Sequence, residues 1–437
     1  MNRRICVLTV GFSGFLTPAE HVWAQPCTSF AESVLQESIG YDDPSCIAAG
    51  DINGDSITDL VIATRTTDGT IAIQLGMPGG GFSQPIISSS FGQSSDVTNW
   101  CELINFNADN ILDLVLVRRS FGFQVFSGNG DGTFTLQDSI AGIENGTNAV
   151  TGDFNGDGSD DALICGAGGA LVVFIDSNGQ ATPGQQLAPE SSYFADVADL
   201  DFDGDLDLLI PSGSDQSVLI FSNDGSGVFT QTDMLEVTLR TATSAKAIDV
   251  DMDGDLDVAA AAIDGELNIF ENLGNEVFAR VFSIVIPGAP QDPWHLTSGD
   301  FNADGLPDLV YTGAITQNVG ILTNRSDSGF IAFSHTQLFQ STGLPNMSLI
   351  IDVDLDGDVD VLSPGFGMGE SPIAYIENLT SGTACYADVS GDGTIDLFDV
   401  VEVFMEWGKT KSHADVNKDL MVNGIDLSIV INNWGEL

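Results

Sequence analysis

The chain has 437 residues, with 12 Lys and Arg against 63 Asp and Glu, for a formal net charge of −51. That balance excludes a nucleic-acid binder, which needs a basic footprint, and it argues against adsorption to anionic membranes. Hydrophobic residues still make up 43%, far above an acidic disordered chain, so a globular fold has to house this density of carboxylate.

The N-terminus reads as an export signal. Arg3 and Arg4 precede an apolar run from Ile5 to Leu16, and a polar stretch follows, ending in Val22-Trp23-Ala24. The run is too short to span a bilayer, and the small residue suits cleavage. Residues 1–24 are therefore expected to leave after Ala24, giving a secreted, cell-surface or periplasmic protein. No later segment reaches membrane-spanning length. Of the six cysteines, Cys27, Cys46, Cys101, Cys165 and Cys385 remain after cleavage. None has zinc-site spacing, and an odd count leaves at least one thiol unpaired.

From residue 51 a pattern of Asp or Asn at positions 1 and 3 and Asp at positions 5 and 9 recurs seven times. The copies start at Asp51, Asn105, Asp153, Asp199, Asp249, Asp300 and Asp352, with separations of 54, 48, 46, 50, 51 and 52 residues. Each copy sits between short β-branched or aromatic runs, such as Ala162–Cys165 and Leu171–Ile175, separated by Gly, Asn and Asp turns. Four strands per repeat at this period predict propeller blades, here an all-β, seven-bladed β-propeller over residues 25–380. The seventh repeat stops near Thr380 without a fourth strand. Residues 29–40 have no repeat of their own and read as that missing strand, closing the ring.

Oxygen ligands at loop positions 1, 3, 5 and 9 converge on one point, and hard oxygens at that density select Ca²⁺. Gly at position 6 allows the sharp turn, and a carbonyl at position 7 completes the shell. Five copies are complete: Asp153/Asn155/Asp157/Asp161, Asp199/Asp201/Asp203/Asp207, Asp249/Asp251/Asp253/Asp257, Asp300/Asn302/Asp304/Asp308 and Asp352/Asp354/Asp356/Asp360. The first, Asp51/Asn53/Asp55/Asp59, has Ser56 at position 6. The second, Asn105/Asn107/Asp109/Asp113, has Asn110 there and only two carboxylates. These two are expected to bind weakly or stay empty, the second more so.

These loops, with turns such as Gly128-Asn-Gly-Asp-Gly-Thr-Phe134, resemble the FG-GAP/VCBS repeats, the group that includes integrin α-subunit propellers. The resemblance covers roughly residues 29–380. It implies calcium in hairpin loops on one face and an extracellular adhesion or ligand-binding role.

Beyond a linker at 381–384, residues 385–437 change character. Asp388, Ser390, Asp392 and Asp399 fall at oxygen-ligand positions of a 12-residue loop, and an apolar helical stretch follows to Trp407. The unit recurs with Asp415, Asn417, Asp419, Asn423 and Asp426, then a stretch ending at Trp434. A duplicated calcium loop and helix is half an EF-hand used twice. It resembles a type I dockerin, which implies a cohesin-like or surface partner. Leu420 replaces the usual Gly of the second loop. Loop positions 10 and 11 are Leu397/Phe398 and Gly424/Ile425, where cohesin-recognising dockerins often carry Ser-Thr. The chain thus offers up to nine calcium sites, whose ligands include 29 of the 63 acidic residues.

No nucleophile, metalloprotease or nucleotide motif stands out. The turns opposite the acidic loops are expected to form a ligand face. Arg65, Arg118, Arg119 and Arg240 fall in those turns, and Trp100, Tyr193, Trp294 and His295 begin the innermost strands near the channel mouth. Aromatics with a few Arg suit a glycan or an extracellular protein. The leading reading is a secreted, calcium-binding, non-catalytic binding or adhesion protein. The alternative is a polysaccharide-degrading lyase or glycoside hydrolase, or its accessory subunit, on the same scaffold.

Overall fold

A computed structural model describes residues 34–36 and 43–437, except 66–69, 89–96, 120–121, 142–145, 189–190, 238–240, 275–276, 287–292, 327–330, 342, 368–372, 379–396, 406, 409–420 and 433–437. The chain divides into two compact units, one spanning Thr28–Gly382 and one containing Thr383–Leu437. The proposed signal segment and linker lie outside the described residues.

Thr28–Gly382 is a seven-bladed β-propeller. Six blades are consecutive four-stranded antiparallel sheets. The third shows the pattern: Gly146–Gly152, Asp161–Gly166, Gly169–Ile175 and Ala181–Ala188, from the channel outward. Second strands such as Asp59–Thr64 and Asp161–Gly166 are buried at every residue, because both sheet faces pack against neighbouring blades. They read as continuous apolar runs for that reason. Outer strands such as Phe134–Ile140 are largely exposed and carry polar residues. The core therefore lies between blades. One cluster joins Leu163 and Val172 of the third blade to Leu208, Ile210 and Phe221 of the fourth.

The seventh blade combines both ends of this unit. Its strands Leu349–Ile351, Asp360–Phe366 and Ile373–Ile376 come from the last repeat. The outermost strand, Val34–Gln36, pairs antiparallel with Ile373–Ile376 in the register Val34↔Tyr375, Leu35↔Ala374 and Gln36↔Ile373. Removing it exposes an edge and unlatches the ring. Deleting residues 29–40 should replace one cooperative thermal transition by a broad one, followed by near-UV circular dichroism; an unchanged melt would show that closure is dispensable.

The seams between blades carry a recurring staple. Asn223, Asn272, Asn324 and Asn378 sit where the third strands end. Their Nδ2 atoms donate to Phe154 O (2.9 Å), Leu200 O (3.4 Å), Val250 O (2.8 Å) and Phe301 O (2.9 Å) in the preceding blade. Gly76, Gly128 and Ile175 occupy these positions in the first three blades. There, a backbone N–H substitutes in two seams: Gly132 N donates to Ile52 O (3.2 Å) and Gly81 N to Val353 O (2.8 Å).

In the second unit, helices Leu397–Met405 and Gly424–Asn432 lie against each other, with Val403, Val422 and Val430 buried. No described helix is long and apolar enough to cross a membrane, which says nothing about β-barrel spans.

Candidate metal centres and channel mouth

Each acidic loop links the first and second strand of a blade, and all seven share one frame. Position 4 is left-handed in every copy, with φ between 53° and 81°, and so is position 6, with φ between 63° and 102°. Position 6 is Gly in the five complete loops, but Ser56 and Asn110 adopt the same conformation in the first two. Position 4 is Phe202, Met252 and Leu355 in three loops, where a left-handed backbone costs roughly 1–2 kcal/mol. The frame, not the local residue, dictates these angles.

Hydrogen bonds within the loop supply it. The position 5 carboxylate accepts the position 7 N–H throughout, as Asp203 does from Asp205 (2.9 Å) and Asp304 from Leu306 (2.8 Å). From the third blade to the seventh, position 1 accepts the Gly N–H of position 6 on Oδ2: Gly158 to Asp153 (2.8 Å), Gly204 to Asp199 (3.1 Å), Gly254 to Asp249 (3.1 Å), Gly305 to Asp300 (2.8 Å) and Gly357 to Asp352 (3.1 Å).

Position 9 has a role beyond the one expected from the sequence. Asp59, Asp113, Asp161, Asp207, Asp257, Asp308 and Asp360 are all buried. Both oxygens of each accept backbone N–H groups. For Asp308 these come from Phe301 (3.1 Å), at loop position 2, and from Asn324 (2.7 Å), at the end of the third strand. This residue first clamps the loop to its blade; only its remaining lone pairs can reach a cation. Burial pushes the carboxyls up, Asp113 and Asp360 to about 6, Asp161 and Asp257 to about 7 and Asp308 to about 8, although the backbone donors lower them.

Three loops bring three carboxylate oxygens within 4.8 Å of one another: Asp199/Asp201/Asp203, Asp249/Asp251/Asp257 and Asp352/Asp354/Asp356. The third and sixth loops carry Asn155 and Asn302 at position 3, so there an amide oxygen takes one carboxylate's place. Among the described residues, Asp199 Oδ1, Asp249 Oδ1 and Asp251 Oδ1 are buried without a hydrogen-bond partner. Buried unpaired carboxylate oxygen is costly, and a hard cation satisfies it, so the donor sets fit Ca²⁺. The fourth, fifth and seventh loops add Asp205, Asp255 and Asp358 at position 7, which the sequence reading passed over. Burial and then the neighbouring Asp253 push Asp255 up to about 6, and burial and Asp356 push Asp358 up to about 7.

The second and third loops carry fewer carboxylates than the fourth, fifth and seventh. Among the described residues Asp109 and Asp157 join no such three-carboxylate group, while Asn107 offers an amide oxygen instead. Asp157 is exposed, and its Oδ1 accepts the Ser159 N–H (2.9 Å), while its own N–H donates to Asp153 Oδ1 (3.1 Å) and Asn155 Oδ1 (3.0 Å). In the second loop Asn107 Oδ1 accepts the Asp109 N–H (3.1 Å), and Asp109, also exposed, accepts the Ile111 N–H (2.8 Å). Both loops share one feature. An Asn at position 3 contributes an amide oxygen without charge, and the backbone of the turn already occupies one oxygen of each side chain. The third loop still offers Asp153, Asn155 and Asp157 side by side. The second, with Asn at positions 1 and 3, leaves Asp109 as its one carboxylate outside the clamp.

The first two loops also satisfy their own groups differently. Asp51 accepts N–H groups from Asn53 (3.3 Å), Gly54 (2.7 Å), Asp55 (3.2 Å) and Ser56 (2.7 Å). Against the desolvation that would raise it, these donors hold its carboxyl below the usual range. In the second loop, Asn105 N donates to Asp160 Oδ2 of the next blade (2.7 Å). Protein groups thus do part of the work that a cation does elsewhere. In the tail, Asn423 is half-buried and its Nδ2 donates to Met421 O (2.8 Å). Asp388, Ser390, Asp392, Asp415, Asn417 and Asp419, and the side chains of Asp399 and Asp426, lie outside the described residues.

At the opposite strand ends the channel opens into a cavity of about 380 Å³, lined by Arg65, Asn99, Thr147, Phe194, Ile263, Trp294, Ala314, Ile315, Asn346 and Phe366. Arg65 lies 4.2 Å from the centroid of Phe366, and Trp294 Nε1 donates to Asn346 Oδ1 (3.0 Å). Trp294 also meets Tyr193 edge-on (5.7 Å) and Phe194 (6.0 Å). Of the other candidate face residues, Arg119 is exposed, while Trp100 packs against Phe194 (5.7 Å) and His295 (6.0 Å). Arg118 corrects the expectation. At 1% exposure it belongs to the packed interior and offers nothing to a ligand face. Arg240 lies outside the described residues.

A second cavity, of about 230 Å³, is lined by the inner strands of the second to sixth blades and holds Glu102, Asn148, Asp196, Lys246 and His295. Lys246 Nζ pairs with Asp196 at 2.9 Å, and Trp100 Nε1 donates to Glu102 Oε2 (3.2 Å). Burial pushes Glu102 up to about 7. Burial, then Lys246, pushes His295 down to about 3, leaving its imidazole neutral. Glu102, Asp196 and Lys246 all lie three residues before a repeat start. Aligning the copies at that position would have found them.

A model of the FG-GAP-like repeat matches residues 105–164, 153–210, 199–260 and 249–311, and a model of the dockerin type I domain matches residues 386–434. No curated protein matches. Among solved structures, BBS1N in complex with ARL6DN, soaked with lead, is similar at a TM-score of 0.55 and 11% identity, covering 81% of this chain and 98% of that one. A protein from Lactobacillus plantarum gives a TM-score of 0.51 at 16% identity, over 70% and 86% of the two chains. Saccharomyces cerevisiae Sqt1 gives 0.51 at 10% identity, over 82% and 99%. At these identities the likeness shows the fold alone.

Proposed function

We propose that this chain, an FG-GAP-repeat β-propeller followed by a dockerin type I domain, is an exported, non-catalytic glycan-binding protein whose acidic loops hold calcium. The dockerin implies calcium binding, a cohesin-type partner and an extracellular or cell-surface setting. Export follows from the N-terminal signal pattern.

The observation that carries the reading is the make-up of the channel mouth. Trp294 and Phe366 supply aromatic faces, with the buried Phe194 packed against Trp294, Arg65 and Asn99 supply polar groups, and among the described residues no carboxylate, imidazole or thiol lines it. Aromatic faces with a few polar groups suit a sugar ring, and the volume is that of a small-ligand pocket. The carboxylates Glu102 and Asp196 line the separate inner cavity instead.

The tail supports docking through apolar contact. Leu397 and Phe398, at the recognition positions of the first loop, are 62% and 65% exposed, and Phe404 and Met405, at the far end of the same helix, are exposed as well. This surface favours a cohesin-type partner with an apolar rather than a hydroxyl-reading face.

A glycan array probed with the full chain in calcium tests the mouth. Trp294→Ala should abolish a positive signal, and Ile315→Asp, at a rim position already 72% exposed, should weaken it with no change in calcium-loaded Tm. A blank array alongside capture of an extracellular protein would replace the glycan by a protein ligand. Turnover of an arrayed polysaccharide would sink the non-catalytic reading.

A further inference from the structure

We propose that Cys46 and Cys101 form a disulfide that fastens the first blade to the second. Cys46 lies on the inner strand Pro44–Gly50 and Cys101 on the inner strand Thr98–Ile104 of the neighbouring blade. Cys46 Sγ accepts the Cys101 N–H at 2.9 Å and lies 3.1 Å from Cys101 O. The Cys101 thiol in turn points into the same seam, donating to Val61 O of the first blade (3.8 Å). Sulfur this close to the partner's backbone puts the two Cα atoms in the range a disulfide bridges. Cys165, by contrast, packs between the third and fourth blades among apolar side chains.

The seam gives the bond a purpose. The first and second blades have the poorest cation loops, and Gly128 stands where later blades place the stapling Asn. Besides the bond from Gly132 N to Ile52 O, Ser45 Oγ donates to Thr98 O (2.7 Å) across this seam. A covalent link here fastens a seam that lacks both the side-chain staple and a full carboxylate set.

The chemistry balances with a disulfide donor, small molecule or protein, as oxidant. A Cys46 thiolate attacks one donor sulfur, forming a mixed disulfide and releasing one thiol. The Cys101 thiolate then attacks the Cys46 sulfur, expelling the second thiol. The two protons given up by the cysteines are taken up by the two released donor sulfurs, and two electrons pass to the donor. Both thiols are 0% exposed in the folded chain, and burial, then the Cys101 side chain, raises the Cys46 thiol. The folded thiols are therefore inert, and the bond forms while the first two blades are still assembling.

The test is a non-reduced peptide map of the full chain refolded in calcium with oxidised and reduced glutathione, then alkylated under denaturant. The expected result is a crosslinked peptide joining Cys46 and Cys101 in most molecules, lost after reduction. The denatured thiol count should fall by two, and Cys46→Ser should lack the crosslink. Alkylation of both residues in most molecules would overturn the proposal, as would Cys46 or Cys101 joined mainly to Cys27, Cys165 or Cys385. The map on unaltered protein decides even if the variant misfolds.

Discussion

Excess EGTA at pH 8 should lower the Tm of the full chain by roughly 10 °C or more relative to a calcium-saturated sample, and the gap should shrink at pH 5. The size follows from linkage: each site held at about 100 times its Kd stabilises by about 2.7 kcal/mol, and five complete propeller loops act together. The pH dependence follows from the clamping carboxyls. Asp161, Asp257 and Asp308 are raised in the folded chain to about 7, 7 and 8, from an ordinary value of 3.8, chiefly by burial. A raised carboxyl contributes stability that is complete below its unfolded value and lost as pH rises through its folded value. The chelated propeller should therefore weaken steadily between pH 4 and pH 8. Calcium opposes this, because it neutralises the ionised form where the proton is lost. An EGTA-induced gap of equal size at both pH values would mean that the cation does not touch these carboxylates.

Asp257→Ala should cost roughly 3–5 kcal/mol of unfolding free energy even in EGTA, and more in calcium. The side chain accepts the N–H groups of Val250 (3.0 Å) and Asn272 (2.8 Å), both buried. Truncation strands two donors at about 1–3 kcal/mol each. It also loosens Asn272, whose Nδ2 reaches Leu200 O of the preceding blade (3.4 Å). Asp253→Asn, at the exposed position 5, should cost nothing in EGTA and weaken only the calcium-dependent increment. Urea unfolding of both variants, with and without calcium, separates the two roles. Equal losses for the two in EGTA would show that position 9 is only a ligand and not a clamp.

Those two residues mark what was legible in the sequence. The recurrence of the acidic string set the blade count, because seven copies in near-constant register admit few architectures. Its spacing located Asp253 and Asp257 in one loop, but not the difference between them. Position 9 looks like another ligand in one dimension; only the folded blade brings the N–H of Asn272, fifteen residues further on, to the same carboxylate. The Asn staple was equally hidden, because it serves a carbonyl in the previous repeat. Position 4 gave no signal either: Phe202, Met252 and Leu355 are unlike residues for a left-handed turn, and the loop frame imposes it. Arg118 was misplaced for a related reason. It ends a second strand, and second strands are buried along their whole length, so its charge suggested a surface that the packing denies it.

The central claim is that the propeller's acidic loops are cation sites, and a native mass spectrum of the full calcium-saturated chain tests it most directly. Between five and nine bound calcium ions are predicted, falling by one in Asp253→Asn. Two ions or fewer, no more than the paired loops of the tail could hold, would contradict it.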